Sequence, residues 1–248
     1  MIQLTVALPI YNSKTIAWVA FESLCRQEKV DFKWELLIME EQIDQFGLEE
    51  VEKYADRLRE VGCVSVKYLA IDYHIPLPQK WKTLADRRSG SSKVFLLQAA
   101  DCYAEPLRLR RTMDKVDEGH DWIQNRTGYY YSIHYKMVIL FDQKSFGYGC
   151  KTGLNMACAT SILDRLPGDG FQKSGIDNWF YRMVAPVNPY WIEDCIPNGV
   201  DFDGLNNISW ERRFYFHNPR APFLKTETTI EEILPKDLIQ QVKNLHIK

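Results

Sequence analysis

The chain has 248 residues, 46% hydrophobic and 26% charged, with a formal net charge of −2 and a pI near 6.2. That composition fits a globular protein large enough to bury a full core, and it excludes a general electrostatic binder of nucleic acid. No apolar stretch reaches membrane-spanning length. The opening MIQLTVALPIYN enters a strand-like run without the basic flank or cleavage site of a signal peptide, so a soluble, cytoplasmic protein is expected. Cysteines 25, 63, 102, 150, 158 and 195 form no CxxC pair and have no histidine at zinc spacing, which predicts free thiols.

In chain order, four short β-branched runs, LTVALPI, WELLIME, VSVKYLA and KVFLLQAA, read as buried strands. Between them IAWVAFESLCRQ, LEEVEKYADRLREVG and KWKTLADRRS have helical spacing. Strand and helix alternate, which predicts a parallel sheet covered by helices. A further helix is expected over 106–117, with Pro106 in its first turn. TGYYYSIHYKMVILFDQ then changes the pattern to antiparallel strands, and a short helix is expected near Gly175–Met183. The end, TTIEEILPKDLIQQVKNLHIK, predicts terminal helix broken or started at Pro235. The expected organisation is one domain over 1–225, with halves 1–118 and 119–225, and a helical tail over 226–248.

LLQAADCYAEP, residues 96–106, ends an apolar strand on a single carboxylate, Asp101. An acid there either helps start the following helix or faces a ligand, and carboxylate oxygen suits Mg²⁺ or Mn²⁺. Asn12, Glu40 and Asp101 fall at the carboxyl ends of strands one, two and four, the edge at which open α/β sheets bind ligands. Neither GxGxxG nor GxxxxGK[ST] occurs, which disfavours dinucleotide and P-loop chemistry. RLRR at 108–111 and the arginines 212 and 213 are local basic clusters, a pattern common on solvated helix faces.

Taken in order, VALPIYNS, ELLIMEEQID, LPQKWKTLADRRSGSSKVFLLQAAD and GFQKSGIDNWFYRM resemble the motifs of family-two glycosyltransferases with the A-type, nucleotide-diphospho-sugar-binding fold. The weight of the resemblance lies in motif order, since no one motif is specific. It implies a Rossmann-like, mostly parallel sheet flanked by helices, with antiparallel strands in the second half and a C-terminal helical tail. It also implies that Pro9, Tyr11 and Asn12 cradle base and ribose, and that Glu40 stands where the family has a nucleoside-recognising Asp. Lys80, Arg87 and Arg182 would meet the diphosphate, Asp101 would hold Mn²⁺ or Mg²⁺, and Asp177 would be the catalytic base. Where the family shows Asp-x-Asp-Asp, this chain has Gln98, Ala99, Ala100 and Asp101. The metal is therefore expected to bind together with the donor or to be dispensable, with Asp201, Asp203 or His217 as candidate second ligands. Trp179 and Tyr129–Tyr131 are candidate stacking groups, or else core and hairpin aromatics.

The function implied is transfer of a hexose from a nucleoside-diphosphate sugar, a UDP-sugar first, to an acceptor hydroxyl with inversion. A glycan is the expected acceptor and a modified DNA base a remote one. Two other readings stay open on the sequence: a noncatalytic nucleotide-sugar-binding module and a nucleotidyltransferase.

Overall fold

The computed structural model describes residues 1–41, 46–133, 135–142, 155–169, 176–193, 200–203 and 223–245. The first half alternates β1 (Leu4–Ile10), α1 (Trp18–Leu24), β2 (Trp34–Glu41), α2 (Leu48–Glu52), α3 (Ala55–Glu60), β3 (Cys63–Ile71), α4 (Leu77–Asp86), β4 (Val94–Leu97), β5 (Cys102–Tyr103) and α5 (Arg108–Asp117). The second half contains β6 (Trp122–Asn125), β7 (Thr127–Ser132), β8 (Met137–Asp142), β9 (Ala157–Ala159), a 3-10 turn over Thr160–Arg165, α6 (Ile176–Val184), β10 (Pro189–Ile192), β11 (Val200–Asp203), β12 (Phe223–Lys225), α7 (Ile230–Ile233) and α8 (Lys236–Lys243).

One sheet has the order β10-β6-β9-β4-β1-β2-β3. Strands β4, β1, β2 and β3 are parallel, from Leu4 opposite Trp34 to Ile10 opposite Glu40 between β1 and β2. Strand β9 enters antiparallel between β4 and β6. Every residue of β1 and β2 is buried because helices cover both faces. Side-chain alternation sends Leu4, Val6, Leu8 and Ile10 to the face packed by Phe21, Leu24 and Leu58, and sends Ala7, Leu37 and Met39 to the face packed by Trp81, Leu84 and Phe180. The chain leaves β1 for β2 on one side while β4 lies on the other. The order therefore reverses between β1 and β4, which opens a crevice at their carboxyl ends.

The second sheet has the order β12-β8-β7-β11-β5. The aromatic run 127–142 forms its central antiparallel pair, with Tyr130 and Phe141 in edge contact at 5.6 Å. The tail helices pack on this sheet and on α1 through Ile230, Ile233, Leu238 and Val242, with Arg26 paired to Asp237 at 2.6 Å. Pro235 separates α7 from α8, and the Thr229–Glu232 capping box starts α7.

The expected helix over 48–62 is two short helices, α2 and α3, broken at Lys53–Tyr54. The Tyr54 ring stacks on Phe21 at 5.0 Å, which ties the break to the core. Gly62 ends α3 at φ +87°, with Phe32 O only 3.0 Å from where a Cβ would stand. Gly62→Ala is expected to cost about 1–2 kcal/mol from left-handed strain, read as a lowered urea midpoint with unchanged m-value.

At the amino end of the sheet the buried Glu35 accepts from Thr5 Oγ1 at 2.9 Å, Lys67 Nζ at 2.8 Å and Ser89 N at 2.5 Å. These bonds fix the α4–β4 connection at the end opposite the crevice. The described cysteines, Cys25, Cys63, Cys102 and Cys158, are free thiols, and burial pushes Cys25 up to about 12 and Cys63 to about 11. Among the described residues no helix is long and apolar enough to cross a membrane.

Candidate functional site

The chain leaves β1 through Tyr11 and Asn12, and Asn12 adopts φ 51°, a left-handed turn that asparagine tolerates better than most residues. The Ser13 carbonyl accepts the backbone N–H groups of Ile16 and Ala17, closing a turn that leads into α1. The turn presents the Tyr11 ring at the crevice, 45% exposed. His74, from the β3–α4 connection, approaches it with ring centroids 4.9 Å apart, and the Lys80 Nζ lies 4.8 Å from the Tyr11 ring centre. An exposed aromatic face braced from behind is a stacking platform.

Lys80 is 2% exposed and Glu41 3% exposed, and their Nζ–Oε1 distance is 2.7 Å. Lys80 also donates to Ile10 O at 3.4 Å, while Glu41 accepts from the Ile75 N–H at 3.3 Å and holds His74 Nδ1 at 3.0 Å. Burial pushes the Glu41 carboxyl up, but the bonds from Lys80 and His74, the Lys80 charge and the Ile75 N–H more than reverse this. It lies below the ordinary carboxylate range. Lys80 is thus a buried strut under Tyr11, engaged by Glu41.

Glu40 is placed differently. Its oxygens accept from Phe46 N at 2.5 Å, from Gly47 N at 2.9 Å and from the Tyr68 hydroxyl. That carboxylate ties the end of β2 to the start of α2. The adjacent pair is separated by strand parity: Glu40 follows Leu36 and Ile38 onto one face, Glu41 follows Leu37 and Met39 onto the other. Sequence reasoning passed over Glu41 and His74, although the parity of β2 was available to find the first.

Across the crevice Asp101 sits half-buried in the turn between β4 and β5, with Cys102 Sγ 3.8 Å from its Oδ1. Gln98 builds this turn: its Nε2 donates to Ala99 O at 2.9 Å and Cys102 O at 2.8 Å, and its Oε1 accepts from Arg108 Nη1 at 2.6 Å. The backbone of β11 pairs Asp201 opposite Cys102, which brings that segment beside the turn. His217, Arg212, Arg213, Cys150 and Cys195 lie outside the described residues.

Asp177 lies in the first turn of α6. The Trp81–Phe180 edge contact at 5.2 Å packs α6 against α4, and Arg165 bonds to Val184 O at 2.8 Å near the other end of α6. The helix therefore starts on the crevice side. Arg182 is exposed, five residues on, which is ~7.5 Å along and ~140° around the helix from Asp177, so the two do not share a face. Arg87 is not brought to the crevice. It caps the carboxyl end of α4, about 15 Å from that helix's start, near Ser89 and Glu35.

Trp179, Tyr130 and Tyr131 are buried in packing. The RLRR stretch is no basic patch, because Arg108 is buried, Arg110 pairs with Asp31 and Asp114, and Arg111 lies 3.3 Å from Glu105.

Held by the described side chains alone, a divalent ion with six or more oxygen ligands fits this set poorly. Among the described residues no three acidic, histidine or cysteine side chains converge. Asp101 is the one carboxylate on the turn, Ala100 offers no donor, and the Gln98 amide is spent at both ends.

No family model and no curated protein sequence matches the chain. Solved structures do match it in shape. Residues 1–349 of TarS from S. aureus, crystallised with UDP-GlcNAc, superpose with a TM-score of 0.61 at 16% identity, covering 81% of this chain and 58% of that one. The mannosyltransferase PcManGT from Pyrobaculum calidifontis, in complex with GDP-Man and Mn²⁺, superposes with a TM-score of 0.58 at 13% identity, covering 87% and 61%. The chain has the A-type glycosyltransferase fold. The A-type fold accounts for the helix-flanked parallel sheet and for the crevice at the β1/β4 reversal. The chain spans about three fifths of the length of these two structures.

Proposed function

We propose that the chain is a glycosyltransferase that moves a hexose from a nucleoside-diphosphate sugar to an acceptor hydroxyl with inversion. The observation that carries this reading is the crevice itself, with an exposed Tyr11 face braced by His74 and Lys80 on one wall and the Asp101 turn on the other. The donor base stacks on Tyr11, beside Asn12, while Pro9, expected to share that role, is buried within β1 behind the turn. A UDP-sugar is the first candidate donor. Asp101 accepts hydrogen bonds from donor hydroxyls, which leaves the diphosphate over the end of β4.

Asp177 completes the site from α6. It takes the proton from the acceptor hydroxyl as that oxygen attacks the anomeric carbon, while the bond to the diphosphate oxygen breaks on the opposite face. A neutral glycan suits the acceptor side better than DNA, since RLRR is internally paired or buried.

Isothermal titration with UDP-GlcNAc and GDP-Man tests the donor assignment. One is expected to bind, and Tyr11→Ala is expected to weaken it about tenfold, since base–aromatic stacking contributes ~1–3 kcal/mol. Binding unaffected by Tyr11→Ala would remove the stacking platform. Absence of binding by any nucleoside-diphosphate sugar would overturn the reading.

A further inference from the structure

The turn after β4 poses a charge problem. A nucleoside diphosphate is a polyanion, and Asp101 adds negative charge where it would lie. Among the described residues no three acidic, histidine or cysteine side chains gather there to recruit a cation.

Directly behind the turn lies Arg108, 4% exposed, its Nη1 on Gln98 Oε1 at 2.6 Å and its Nη2 on Leu97 O at 2.5 Å. Its Nε is buried with no partner. Among the described residues no carboxylate forms an ion pair with it: the nearby Glu105, whose charge acts on it, is turned to Arg111 at 3.3 Å. Lys80, the other buried cation at the crevice, is matched by Glu41 at 2.7 Å. Arg108 is thus a fixed positive charge at the carboxyl end of β4. The identity of residue 98 bears on this. An aspartate there would pair with the guanidinium and cancel it, whereas the Gln98 amide accepts the same hydrogen bond and leaves the charge standing.

We propose that Arg108, acting through Gln98, is the resident cation of this site and makes nucleotide-sugar binding independent of a divalent metal. It is a positioning residue, since it is buried and touches the turn rather than the donor. Burial pushes the guanidinium down only to about 10, so it keeps its charge at neutral pH. A buried charge is screened far less than an exposed one, so its field reaches a ligand on the far side of the turn. The inference rests on the reading of the crevice as the donor site.

Two measurements on the native protein test it. Mn²⁺ alone is titrated and followed by the electron paramagnetic resonance of the free ion, whose signal is expected to stay undiminished. UDP-GlcNAc and GDP-Man are then titrated in EDTA and in Mn²⁺, and the dissociation constant of the one that binds is expected to agree within about threefold. Arg108→Lys, which keeps the charge, is expected to preserve metal-independent binding. Arg108→Gln is expected to lose about tenfold or more in EDTA and to recover part of it with Mn²⁺. Stoichiometric Mn²⁺ binding, or a tenfold loss of native donor affinity in EDTA, overturns the proposal without touching the donor site. Failure of both nucleotide sugars to bind under either condition sinks the donor-site reading, and this proposal with it. Should Arg108→Gln fail to fold, the native comparison decides alone.

Discussion

Asp177→Asn is expected to lower the transfer rate by about 10²–10⁴ while leaving the donor dissociation constant within about threefold of native. The amide keeps the shape of the side chain and its place in the first turn of α6 but no longer takes a proton. Initial rates with the donor found by titration, together with donor titration of the variant, separate the effects. If donor affinity and melting temperature fall along with the rate, Asp177 serves α6 instead, as negative charge at a helix start, which is worth ~0.3–1 kcal/mol.

Glu41→Ala is expected to destabilise the fold by about 3–5 kcal/mol, because it leaves the Lys80 ammonium buried without its partner. The urea midpoint reads the loss directly. The double variant Glu41→Leu, Lys80→Met is expected to recover most of it, since apolar residues of similar volume replace a buried pair at little net cost. Donor binding is not expected to recover, because Tyr11 has lost the cation beneath its ring.

The pH dependence follows from the same carboxylate. The folded pKa of Glu41 lies below its ordinary value, so the unfolded chain takes up the proton first. The stabilisation is complete above the ordinary glutamate pKa of about 4.3 and is lost as pH falls through the lower folded value. Stability of the native protein is therefore expected to decline in acid more steeply than that of the double variant. Parallel acid profiles for the two would show that Glu41 carries no such linkage.

The four first strands were legible because each is a short run rich in apolar and β-branched residues, and β1 spans the residues that its pattern marks. Strands β1, β2 and β4 are buried as expected, whereas β3 lies at the sheet edge and is mostly exposed or half-buried, which its sequence pattern did not show. The antiparallel pair over 127–142, the helix at 176–184 and the break at Pro235 were legible for the same kind of reason, a local period or a local breaker. Strand β9 was not. Three residues, Ala157–Ala159, carry too little pattern to show that they insert antiparallel between β4 and β6.

Sequence by itself determined which segments alternate as strand and helix, and hence that Asn12, Glu40 and Asp101 fall at or just past the carboxyl ends of strands one, two and four. Hydrophobic period and strand polarity are properties of the local chain, and they are enough for that. That β4 lies beside β1 is shown by the structure. Only the tertiary structure decided how the charges are spent. Glu40 and Glu41 are adjacent in sequence, yet the first closes a loop and the second holds Lys80 and His74. Arg87 and Lys80 share one helix, but its length puts them at opposite ends of the sheet. Arg108 reads as part of an exposed basic run and is instead buried behind the Asp101 turn. Burial and pairing depend on what other segments bring to a side chain, and that information is not local.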